Sequence, residues 1–179
     1  MGTLIRNGRV RADTWRLLDA PFDRLLIPAE DGLLPALPPE PLIVPLAVWL
    51  RRRDDLLDRT PQVGLWLATD SDPHAVAPDL PRIGVIAVRF AEFTDGRGYS
   101  LARSLREQYG YRAELRAIGD VRRDQLYYLA SCGFDAFVLR NGEDADAALT
   151  AFADFSEAYQ ASVARPRPLF RRRLSGAQA

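Results

Sequence analysis

The chain has 179 residues, with 24 basic and 24 acidic side chains and a formal net charge of zero; 47% of it is hydrophobic and 27% charged. That is the composition of one soluble globular domain with a sizeable core, and it excludes a disordered tail, a coiled coil and a collagen. The longest apolar runs, such as Leu42 to Leu50, are too short for a bilayer and are broken by Pro45, so no membrane span is expected.

Absent residue types narrow the chemistry further. Cys132 is the single cysteine, which excludes an internal disulfide, a CxxC zinc or redox pair and an iron–sulfur cluster. His74 is the single histidine, which excludes a multi-histidine metal site and a His-rich relay; no metal ligand is assigned, and no cofactor is evident. Every basic residue is arginine, which excludes a Walker A lysine, a Schiff base and a lysine general base. Zero net charge argues against nucleic acid as a partner. No signal peptide opens the chain, so the cytoplasm is the expected compartment. The oligomeric state is left open.

In chain order, Leu4-Ile5 and Arg9-Val10 flank Arg6-Asn7-Gly8 and predict a small β-hairpin, which Trp15-Arg16-Leu17-Leu18 extends. Residues 1–27 form this hairpin region. Residues 28–41 carry Pro28, Pro35, Pro38, Pro39 and Pro41 and read as a connector. From residue 42 to 164 the pattern is strand–helix repetition. Leu42-Ile43-Val44 is a short strand. Pro45 starts a helix with Leu46, Trp49, Leu50, Arg53 and Leu57 on one face. Val63–Ala68 is a second strand, with a helical turn from Asp72-Pro73 toward Leu80. Ile83–Phe90, β-branched and apolar on both faces, is the clearest strand. Ser100–Tyr109 is a helix and Glu114–Ile118 a fourth strand. Asp120–Ser131 is a helix that Gly133 stops. Phe134–Leu139 is a fifth strand. A last amphipathic helix carries Ala148, Phe152, Phe155 and Tyr159. Residues 165–179, with Arg171-Arg172-Arg173, form an arginine- and proline-containing tail expected to be mobile, solvated or partner-bound.

The expected fold is α/β: one domain over residues 1–164, with a mostly parallel sheet of about five βα units behind the hairpin. An open doubly wound sheet and a partial barrel are both compatible with it. Trp49 and Trp66 are expected in the core.

Ligands of parallel α/β folds bind at the carboxyl edge of the strands. The segment Thr94-Asp95-Gly96-Arg97-Gly98-Tyr99-Ser100 follows the clearest strand and opens a helix. Its glycines permit positive φ or close approach, and Arg97 adds a two-pronged donor for phosphate, sulfate, sulfite or a carboxylate. The structural reading is that Asp95 caps the helix and Arg97 pairs with a carboxylate. Gly119, Asp120, Arg123, Asp124 and Gln125 fall on the neighbouring edge. Asp120 and Asp124, one helical turn apart at a helix start, read either as an acid/base pair or magnesium site, or as a cap and an ion-pair partner. Asp95, Asp120 and Asp124 are the candidate catalytic residues. Cys132 reads as a core thiol and His74 as a surface histidine.

The run Phe93-Thr94-Asp95-Gly96-Arg97-Gly98-Tyr99-Ser100, then Ala102-Arg103, Leu105-Arg106-Glu107 and Gly110-Tyr111, resembles one bacterial family. So do Glu114 to Val121, Arg123-Asp124-Gln125 and Cys132-Gly133-Phe134-Asp135-Ala136-Phe137. The family is domain of unknown function 934, whose members are often labelled probable oxidoreductases of sulfite reduction. The similarity extends to the Asn7-Gly8 turn, Trp15 and Val63-Gly64. Members often carry Pro-Lys where this chain has Ala91-Glu92, and Gly where it has Arg112-Ala113. They are typically encoded beside sulfite reductase and the enzyme that reduces activated sulfate. The resemblance therefore implies an accessory protein of assimilatory sulfite reduction, with sulfite reductase or its electron donor as partner. The residues alone leave open a small enzyme or binding protein for an anionic molecule, and a purely structural domain.

Overall fold

An Asn–Gly turn folds the first two strands onto each other. Asn7 and Gly8 both take positive φ, 51° and 69°, which a two-residue turn between twisted antiparallel strands requires. β1 (Leu4–Arg6) thus lies antiparallel to β2 (Arg9–Arg11), with Ile5 opposite Val10. The structure, a computed structural model, describes residues 3–19, 21–30 and 32–153. Phe155, Tyr159 and the tail from Arg165 fall outside these residues.

Trp15-Arg16-Leu17-Leu18 does not extend this pair. Instead β3 (Arg16–Leu17) runs parallel to β4 (Leu42–Pro45) at the far edge of the sheet, with Leu17 beside Ile43. The proline-rich stretch presents its last carbonyl there: the Arg16 amide donates to Pro41 O at 2.9 Å, and the Leu18 amide to Ile43 O at 2.9 Å. β5 (Val63–Ala68), β6 (Val85–Phe90), β7 (Glu114–Gly119) and β8 (Ala136–Val138) follow. The sheet order is β2-β1-β8-β7-β6-β5-β4-β3, parallel from β3 to β8 and antiparallel at β1 and β2.

Consecutive parallel strands lie side by side with no reversal of order, so right-handed crossovers set all the helices on one face. A doubly wound sheet is thereby excluded, and the sheet takes the curled half-barrel form. The curl has a covalent cause. β2 and β3 are the two edges, yet only Ala12, Asp13, Thr14 and Trp15 connect them. Extended chain of that length spans at most about 17 Å. The edges of a flat eight-stranded sheet would stand about 33 Å apart. Residues 12–15 are therefore a strap across the open side.

The outer face carries the main core. Leu65, Leu67, Ile86, Val88, Leu115 and Phe137 are buried there under helix residues such as Trp49, Leu101, Leu105, Leu126 and Leu129. The helix predicted after Pro45 is two, α1 (Leu46–Arg51) and α2 (Arg53–Leu57). Arg52 leaves helical geometry between them, its buried guanidinium donating to Pro35 O at 2.6 Å and to Asp55 at 2.9 Å. α3 spans Arg97–Glu107 and α4 Leu126–Ser131, while α5 covers Ala145–Thr150.

The inner face is smaller and mixed. Ile43, Val85, Ala87 and Ile118 form an apolar cluster, against which Trp15 and Trp66 pack. Trp49 is fully buried as expected, but Trp66 is only half-buried, since β5 turns it inward rather than under the helices. Beside this cluster, Arg116 is 2% exposed and meets Glu114 of its own strand at 2.7 Å and Asp13 of the strap at 2.9 Å. Arg6 meets the other Glu114 oxygen at 3.1 Å. Four alternating charges thus cross the inner face and offset one another.

Candidate functional site

Parallel strands deliver their following loops to one end, and here those loops bind each other. Thr69, just past β5, donates its hydroxyl to Asp95 Oδ2 at 2.5 Å. Asp95 Oδ1 accepts the Arg97 amide at 3.1 Å and Arg97 Nε at 2.9 Å, while Arg97 Nη2 meets Oδ2 at 2.8 Å. α3 begins at Arg97, three residues before Ser100, and its N-cap position is Gly96; Asp95 stands one residue outside it and holds the Arg97 amide rather than capping the helix. The Arg97 guanidinium, then the Thr69 hydroxyl, hold the Asp95 carboxyl far below the usual carboxylate range. Asp70 lies on the other side of Arg97 at 3.7 Å.

Of the two glycines of this loop, Gly98 is required by packing and Gly96 is not. Gly96 has an ordinary helical φ of −68°. A Cβ on Gly98 would fall 2.5 Å from the Phe90 ring and 3.0 Å from Thr69 Cγ2. Thr94 and Ser100 are exposed.

The loop after β7 differs from the expected helix start. Gly119 takes φ +96°, and the Asp120 amide donates to Phe90 O at 2.9 Å. Asp120 therefore precedes the helix, which opens as a 3₁₀ turn over Arg123–Gln125. Asp120 and Asp124 do not share a helical face; Asp124 is exposed. Arg122 Nη2 meets Asp120 Oδ2 at 3.0 Å, and Arg140, from the loop after β8, lies 3.5 Å from Asp120 Oδ1. Arg122 lowers the Asp120 pKa. Arg123 turns away, donating to Ala147 O at 3.0 Å and Thr150 Oγ1 at 3.1 Å.

Gln125, buried, ties the two loops together. Its Nε2 donates to Phe93 O at 2.9 Å and lies 3.0 Å from Tyr99 Oη, and its Oε1 accepts the Arg122 amide at 3.1 Å. Burial raises the Tyr99 pKa, so its phenol stays protonated. On this base stand side chains that sequence reasoning left out of the site. Arg122 lies over the Phe93 ring at 4.1 Å, and Tyr128 packs on Tyr99 at 4.9 Å. Phe93 is 41% and Tyr128 56% exposed. The available signal was the aromatic pair Tyr127-Tyr128 beside the double arginine at 122 and 123.

Cys132 is buried, and burial raises its thiol pKa. His74 is exposed, with its amide held by Asp72 at 2.9 Å. Among the described residues, no three His, Cys, Asp or Glu side chains converge to hold a metal ion, and no helix is long and apolar enough to cross a membrane.

No curated protein and no solved structure matches the chain. The model of one family, described as bacterial protein of unknown function, matches residues 64–170, from within β5 onward. That match covers more than half of the chain and includes both interlocked loops, so the chain belongs to the DUF934 family.

Proposed function

We propose that this protein is a cytoplasmic accessory protein of assimilatory sulfate and sulfite reduction, which supports sulfite reductase or delivers electrons to it by docking. One observation carries the docking role: Phe93 beneath Arg122 and Tyr128 on Tyr99 project from a loop pair already ordered by Gln125. Exposed aromatic and arginine side chains on a pre-ordered base are the composition of interface hot spots. The sulfur role rests on the family resemblance. The reading treats residues 42–153 as five βα units behind an N-terminal hairpin, the arrangement that delivers each loop to the docking end.

An enzyme using Asp95 or Asp120 as a general acid is the weaker reading. Their arginine partners hold both carboxyls below the ordinary carboxylate range, so neither carries a proton near neutrality. An anion at the start of α3 would also face Asp95 and Asp70 beside Arg97.

Deleting the gene in its native host tests the sulfur role. The deletion strain is expected to fail on sulfate and sulfite and to grow on sulfide or cysteine. Complementation with Phe93→Ala/Tyr128→Ala is expected to restore growth poorly although the protein accumulates. Normal growth of the deletion strain on sulfate overturns the reading.

A further inference from the structure

Under the strap, on the inner face, lies a cleft of about 430 Å³ that reaches the carboxyl end of β7, where Ile118 and Gly119 line it. We propose that it is a binding site for an uncharged, planar aromatic heterocycle, with Trp15 as the stacking wall and Asp13 as acceptor for a ring N–H.

Position is the first argument. In curled parallel sheets the interior at the carboxyl end is where ligands sit, and pockets for small molecules run from roughly 300 to 1,000 Å³. The second argument is the wall chemistry. Trp15, Leu17, Ile43, Ile118 and Val138, half of the lining residues, are large and apolar. Trp15 is half-buried and Leu17 is 37% exposed, so large apolar area inside the fold still faces water. A molecule covering it gains the burial that the chain alone leaves unused. Indole is a rigid stacking platform, and it favours a flat aromatic guest over a flexible chain. Trp66, by contrast, already carries Arg89 at 5.2 Å from its ring.

Charge is the third argument, and it decides the ligand class. Each ionised group of the lining has its counter-charge in place. Asp13 meets Arg116 at 2.9 Å, Asp19 meets Arg89 at 2.5 Å, and Arg16 meets Glu40 at 2.5 Å. The cleft thus holds no surplus charge to draw in a phosphate, a sulfate or a simple cation. It does hold hydrogen-bonding capacity. A carboxylate offers about four acceptor positions. Asp13 uses them for the Trp15 amide and Arg116 Nη1, while a quarter of its side chain stays exposed.

The test uses lumichrome, an uncharged three-ring heterocycle with a ring N–H, titrated with the full chain and followed by fluorescence anisotropy. One saturable site per chain is expected. Trp15→Ala is expected to weaken binding at least tenfold. Leu17→Arg, a change at a partly exposed position of an edge strand, is expected to do the same and serves if Trp15→Ala fails to fold. Absence of saturable binding, or an unchanged dissociation constant in the folded variants, overturns the proposal. Tighter binding of the acyl-chain probe cis-parinarate overturns the ligand class. So does a dimer that excludes lumichrome and that Leu17→Arg dissociates, since the occupant is then a second copy.

Discussion

Asp13 and Arg116, 103 positions apart in the chain, hold each other at 2.9 Å across the inner face of the sheet. The contact fastens the strap to the strand at the middle of the half-barrel. Arg116 is 2% exposed, and its other partner, Glu114, is equally enclosed. Arg116→Met leaves Asp13 without its guanidinium and the buried Glu114 with Arg6 alone, and is expected to lower stability by about 3–5 kcal/mol. Asp13→Ala, at a side chain one-quarter exposed, is expected to cost less, about 1–3 kcal/mol. The double variant is expected to cost less than the two changes added. Urea unfolding of the three variants measures all of this.

Asp95 links stability to acid. Arg97 and Thr69 lower its pKa in the folded chain, so it stabilises the fold above the unfolded carboxylate value, about pH 4. That contribution fades as pH falls below this value toward the depressed folded one. Asp95→Asn is therefore expected to be less stable than the parent at pH 7. The gap is expected to narrow through the region of about pH 4 to pH 2. Thermal unfolding at a series of pH values reads it; a gap that widens in acid contradicts the pairing.

Two glycines in neighbouring loops are expected to behave oppositely. Gly119 stands at φ +96°, and a Cβ there would lie 2.1 Å from Phe90 O. Gly119→Ala is expected to lose about 1–3 kcal/mol or more. Gly96 has ordinary φ and nothing within 4 Å of a built Cβ. Gly96→Ala is expected to be neutral or to stabilise by up to about 1 kcal/mol. Denaturant midpoints of the two variants settle the contrast.

Gln125 sets the order of the docking surface. Gln125→Ala removes two hydrogen bonds between the loops and one within its own loop, and leaves Phe93 O without its side-chain donor. A loss of about 1–3 kcal/mol is expected. Amide exchange is expected to accelerate over residues 91–97 while β6 stays protected. Uniform acceleration across the sheet would show that Gln125 supports the whole fold instead.

β5, β6 and β8 were readable from sequence because strands covered on both faces are written as apolar runs. β3 was not. Two residues carry no periodicity, and the partner of Leu17, Ile43, lies beyond the proline-rich stretch. The convergence of loops at one end also followed from the strand pattern. Which arginine does what did not: Arg122 lies over Phe93, while Arg123, named as the candidate, reaches back to α5. That choice depends on the phase of a single 3₁₀ turn. The left-handed Gly119 delays that turn past Asp120, which separated two carboxylates that spacing alone had placed together. Glu114 and Arg116 were the overlooked signal. Alternate charges inside an otherwise apolar strand announce an inner face that is not plain core.

The pairing of Leu4 with Val138 sets the order in which the molecule can assemble. A ribosome makes β1 first, yet its neighbour β8 emerges last of the strands. The Asn–Gly turn can close early, because it needs only adjacent residues. The strap has no seat until β4 and β7 both exist. Synthesis therefore leaves β1 waiting with Leu4 and Ile5 uncovered until β8 is made. Folding of this kind is non-local and slow to complete.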